Sequence, residues 1–130
     1  MKKALITIVL VLMVPALVFA ASATQRQHTS KAGVLGFHHT ETIASGNGTT
    51  IAIPAMPAGT RVTCTMIAGA NSGKFQITTS SDAAVAAGTC TWVDWSKGAI
   101  TGTDQDVVTG PITGIRGVST SGSVDIEIVY

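Results

Sequence analysis

Few residues in this chain have the type and spacing to do chemistry. His38, His39 and Glu41 form its densest cluster of metal-ligand side chains. On an extended strand His39 and Glu41 point to the same side, because side chains alternate with a period of two. That spacing suits half of a metal site, and His38, His39 and Glu41 are the residues that would begin one. Two further ligands would have to come from elsewhere, and no second His pair is present. Solvent-facing polar residues on an edge strand are the simpler reading, so neither a metal nor another cofactor is expected. Asp104-Gln105-Asp106 offers oxygens for calcium but lacks the glycine and distal glutamate of an EF-hand loop. Solvated acids in a loop are expected there instead. The stretch Gly117–Gly122 holds serines between glycines, but not at G-x-S-x-G spacing and without a strand-turn-helix pattern. Glu41 and Glu127 are the only glutamates, and alternation puts Glu127 on a polar strand face. No carboxylate pair for glycoside hydrolysis results. No catalytic residue is expected, and the chain reads as a non-enzyme.

Aromatic residues are the alternative route to function. Trp92 and Trp95 are the only tryptophans. Three positions apart on a strand, they face opposite sides. Trp92, beside Cys90, is expected in the interior and Trp95 at the surface. An exposed tryptophan on a small β domain is a candidate sugar platform or interface anchor. Tyr130, ending the last alternating run, joins them as a candidate binding or interface residue.

Cys64 and Cys90 are the only cysteines. Their spacing matches no zinc motif, and an even count in an exported chain predicts a disulfide. Closing a loop of about 27 residues would stabilise the fold by roughly 3.5 kcal/mol in the chain-entropy model.

Export is read from the start of the chain. Lys2 and Lys3 precede Ala4–Val14, which is apolar except for Thr7; Pro15 and a run of small residues ending in Ala21-Ser22-Ala23 follow. This is the layout of a bacterial-type secretory signal helix over residues 1–23, cut after Ala20 or Ala23. Retained, it would be the only membrane contact. A periplasmic or extracellular location is expected. Without Lys2 and Lys3, the 8 basic residues become 6 against 7 acidic ones, and the formal charge of +1 becomes −1. Six dispersed cations give no footprint for nucleic acid.

The elements that must position these residues are strands. From Thr24 onward the chain holds 18 Thr, 9 Ser and 14 Gly, which favour pleated surfaces and turns over helices. Val62, Cys64, Met66 and Ala68 share one face of an alternating run, as do Phe75 with Ile77 and Val124, Ile126, Ile128 and Tyr130. Ser81–Ala87, closed by Gly88, is the one helix-like stretch. Asn47-Gly48 predicts a hairpin turn. Residues 24–33 are polar and are expected as a flexible arm, followed by one domain over 34–130. The class is all-β: a single small β-sandwich or jelly-roll-like barrel of about 7–8 strands.

The stretch Gly110-Pro111-Ile112-Thr113-Gly114-Ile115-Arg116-Gly117-Val118, with Ser121-Gly122-Ser123-Val124 and Glu127-Ile128 after it, resembles the ending of small phage virion proteins; Trp92-Val93-Asp94-Trp95 followed by Gly98 adds to the likeness. The resemblance covers about 40 residues. It implies a capsid- or tail-decoration β-sandwich that self-assembles as a homo-oligomer or joins a particle or surface protein. An exported carbohydrate-binding module, with a glycan as partner, is the alternative.

Overall fold

The computed structural model describes residues 23–29, 35–53 and 61–130. The signal segment lies outside the described residues except for Ala23. Among the described residues nine strands and one short helix follow in order: β1 (Ala23–Thr29), β2 (Leu35–Ile43), β3 (Gly46–Asn47), β4 (Ile51–Ala52), β5 (Arg61–Thr78), α1 (Asp82–Ala87), β6 (Val93–Asp94), β7 (Ile100–Thr109), β8 (Gly114–Ser121) and β9 (Val124–Val129). The class is all-β, as the composition predicts. The count exceeds seven or eight because β3, β4 and β6 are only two residues long, the first two being pieces of one longer, bent strand with β2.

All pairings are antiparallel and belong to one sheet. Strands β8 and β9 run end to end along β5, from Gly114 opposite Thr78 to Val129 opposite Thr63. In the same way β2, β3 and β4 run along β9 and β8, from His38 opposite Val129 to Ala52 opposite Gly114. Each long strand is bent once, at matching heights. The bend lies at Gly46 (φ +69°) in the first and at Gly122 (φ +62°) in the last. In β5 it is the irregular register between Ile67 and Gly73. Glycine supplies the left-handed backbone that the corners require. The Asn71 amide donates to the Ser123 carbonyl at 2.7 Å and ties two of the corners together.

Two sequence expectations are corrected here. Asn47-Gly48 is not a hairpin turn. Asn47 pairs with Val118, and the positive φ falls at Gly46, because this segment continues along β8 instead of returning on β2. The polar arm is, over residues 24–29, the edge strand β1 on β2; main-chain pairing orders it without needing apolar side chains.

Bending folds the sheet onto itself. A Cβ placed on Gly117 of β8 would lie 2.7 Å from Ile43 Cδ1 and 2.9 Å from Ile126 Cδ1, so the two halves meet at this glycine. Between them lie Val62, Cys64, Met66, Phe75, Ile115 and Ile128, all 0–1% exposed. All but Ile115 are alternating positions that the sequence puts on one face. Each fully buried side chain of this size contributes about 1.5–3 kcal/mol.

Candidate functional site

The predicted helix sets up the site. Ser81 Oγ accepts the Ala84 amide at the N-cap, and Gly88 closes α1 in the left-handed conformation. Val85 packs over Gly114, where a Cβ would meet Thr78 Cγ2 at 3.1 Å and Val85 Cγ1 at 3.4 Å. The Thr91 amide then donates to Ser80 Oγ at 3.1 Å. The connection is thereby held against the outer side of the β5–β8 half-sheet, and it delivers Trp92 there.

On that outer side, Asp94, Gln76 and Arg116 form one rung across β6, β5 and β8. Gln76 Oε1 accepts from Arg116 Nε at 3.0 Å and Nη2 at 2.7 Å. Gln76 Nε2 donates to Asp94 Oδ1 at 2.8 Å. Lys74, on the same face of β5, reaches Asp94 Oδ2 at 2.6 Å. The Arg116 guanidinium carbon sits 4.3 Å from the Trp92 ring centroid. The result is a half-exposed aromatic ring followed by a row of donors and acceptors. Hydrogen bonds from Lys74 and Gln76 lower the Asp94 pKa, so it stays ionised. Partial burial lowers that of Arg116, opposed by the nearby Cys90 sulfur.

The two tryptophans exchange the places expected of them. Trp95 is 4% exposed. It meets Phe75 edge-on at 5.0 Å, and its indole N–H donates to the Gly98 carbonyl. Trp92 is the more exposed of the two, half-buried under the Arg116 guanidinium. Residues 89–92 are not a strand, so the alternation that assigned the faces does not operate there. Tyr130 stacks on Phe37 with centroids 5.2 Å apart and packs against the core; it is not an open platform.

The predicted disulfide is absent: Cys64 and Cys90 are free thiols. Cys64 points into the core from β5, whereas Cys90 lies beside Arg116, which faces outward from β8. Burial, reinforced by the Asp106 carboxylate, pushes the Cys64 thiol pKa up to about 12.

The His38, His39 and Glu41 cluster is split by the strand. His39 and Glu41 are each 3% exposed and face inward, with Nε2 3.3 Å from Oε2. This overturns the expectation of a solvent-facing set on an edge strand, because β2 lies between β1 and β9. The Thr49 amide donates to both Glu41 oxygens, at 2.9 and 3.0 Å, and the Thr49 hydroxyl donates at 3.1 Å. Glu41 is thus a structural tie between β2 and the segment before β4. His38 faces the other way, its Nε2 2.7 Å from Glu127 Oε1, a distance for an ion pair without hydrogen-bond alignment. Among the described residues no three His, Cys, Asp or Glu groups converge to hold a metal. A shallow groove on the outer face of β2, β9 and β5 is lined by Thr42, Ile67, Asp125 and Glu127, but its Thr42 hydroxyl is already committed to Asp125 at 2.6 Å.

Asp104 and Asp106 lie on strand β7, not in a loop, and β7 pairs only with β5 among the described residues. Asp104 accepts the Gln105 amide and Asp106 the Val107 amide, at 2.7 and 2.8 Å; Lys97 Nζ donates to the Gln105 carbonyl at 2.7 Å. The middle of this edge is therefore capped against strand addition, and its inward acids further oppose it.

No protein-family model and no curated protein matches the chain. Among solved structures it is similar to the C-terminal CBM6 of LamC, a marine laminarinase from Zobellia galactanivorans. The identity is 10%, the TM-score 0.30, and the match covers 83% of this chain and 88% of that one.

Proposed function

We propose that this chain is an exported, non-catalytic β-sandwich module that binds a glycan on the outer surface of its β5–β8 half-sheet. One observation carries the reading: a half-buried tryptophan, Trp92, is continuous with a fixed row of polar groups, Arg116, Gln76, Asp94 and Lys74. Sugars present apolar C–H faces and rings of hydroxyls. The ring surface that Arg116 leaves uncovered, beside amide, carboxylate and ammonium groups, complements both. The groups are held by one another, so little side-chain freedom is lost on binding. The self-assembling alternative has less support. The β7 edge is capped, and the exposed Ile67, Val107 and Val93 lie on different rungs, opposite Thr103, Thr63 and Ile77, so they form no continuous apolar patch.

Affinity electrophoresis through gels containing soluble polysaccharides tests the reading. At least one polysaccharide is expected to retard the protein, and Trp92→Ala is expected to abolish the retardation. Unretarded migration in every gel overturns the proposal.

A further inference from the structure

We propose that the glycan carries a carboxylate, as in a uronic acid, seated on the outward edge of the Arg116 guanidinium; this rests on the platform reading above. A guanidinium has five coplanar N–H donors. Gln76 Oε1 takes the Nε hydrogen and one Nη2 hydrogen. The remaining Nη2 hydrogen and both Nη1 hydrogens meet no acceptor among the described residues. The Nη1–Nη2 edge so left open has the two-pronged geometry that matches a carboxylate.

The charge pattern points the same way. Lys74 is paired with Asp94 at 2.6 Å and Lys97 with Asp104 at 2.7 Å. Arg116 has no carboxylate partner among the described residues. Its anchor is an amide, which orients the guanidinium without cancelling its charge; a glutamate at position 76 would do both. The Trp92 ring supports the guanidinium plane. An oriented, uncompensated cation on an aromatic ring is a receptor for an anion. With Lys74, Arg116 and Asp94 counted, the platform carries one net positive charge.

Calorimetric titration of the purified protein tests this with galacturonate, glucuronate and mannuronate oligomers. Each is compared with its own methyl ester, which keeps the ring and hydroxyls and removes the charge. One acid is expected to bind about tenfold or more tightly than its ester, the scale of a charge-assisted bidentate contact. Added salt is expected to narrow that preference. Arg116→Met and Gln76→Glu are expected to erase it, the second by neutralising the cation while leaving an acceptor in place. Retained near-ultraviolet circular dichroism qualifies each variant as folded. Equal affinity for every acid and ester, or a preference surviving in both folded variants, overturns the carboxylate assignment. So does tighter binding of a linkage-matched sulfated oligomer. The platform reading stands in those cases; binding of no charged or neutral glycan overturns both.

Discussion

Arg116 lies over the Trp92 ring at 4.3 Å, although the two are 24 positions apart in the chain, with all of β7 between them. The pair joins the loop after α1 to β8 and gives the surface its aromatic and cationic character together. Removing the guanidinium exposes the indole. Arg116→Ala is expected to red-shift the emission of Trp92 while Trp95, buried against Phe75, stays unchanged. A Trp92→Phe background identifies which ring responds. The stability cost is expected to be about 1 kcal/mol or less, the scale of a partly exposed cation–π contact.

Gly117 is where the two halves of the folded sheet touch. Alanine there would bring a methyl within 3 Å of both Ile43 and Ile126. Overpacking of a tight core costs about 1–3 kcal/mol. Gly117→Ala is expected to lower the urea midpoint accordingly, and Ile126→Val, which removes the opposing Cδ1, is expected to recover part of the loss. A neutral Gly117→Ala would contradict the folded-over sheet.

The two cysteines are expected to behave differently. One thiol, Cys90, is predicted to react with a disulfide reagent in the native protein, and both in denaturant. Reducing agent is expected to leave the thermal midpoint unchanged, since no disulfide joins them. The pH dependence follows from the raised Cys64 pKa. The ordinary thiol value is 9.0 and the folded value about 12. Below pH 9 the thiol is neutral in both states and its burial contributes fully. Above that the unfolded chain sheds a proton that the folded one keeps, so stability falls as pH rises. Thermal melts from pH 8 to 11 are expected to decline more steeply for the native sequence than for Cys64→Ala.

Capping of the β7 edge predicts what happens when the caps are removed. The triple variant Lys97→Ala, Asp104→Ala, Asp106→Ala frees the amides of Gln105 and Val107 and the carbonyl of Gln105. It is expected to associate at concentrations where the native sequence does not, measured by light scattering. Unchanged mass across the concentration range would contradict the protective role.

Much of the core was legible in advance, because it depends on a local period. The buried faces of Val62–Ala68 and Val124–Ile128, and the helix capped by Ser81 and closed by Gly88, follow from side-chain alternation and capping chemistry. The corners were not legible. Asn47-Gly48 and Ser121-Gly122 read as turns either way, and only long-range register separates a bend from a hairpin. The platform was missed for the same reason. Gln76 and Arg116 are 40 residues apart and become neighbours through the β5–β8 register. Their signal was faint: Lys74 and Gln76 alternate with Phe75 and Ile77, and Arg116 sits between inward-facing Ile115 and Gly117. The assignment of Trp92 and Trp95 failed because it applied a strand's period to a segment held by Ser80 and α1.

The glycan site built on Trp92 is tested by isothermal titration of the native protein and Trp92→Ala against a polysaccharide panel. Saturable binding of at least one glycan by the native protein is expected, weakened more than tenfold in a Trp92→Ala variant that keeps its fold. Equal binding by the two proteins, or no heat of binding across the whole panel, would contradict it.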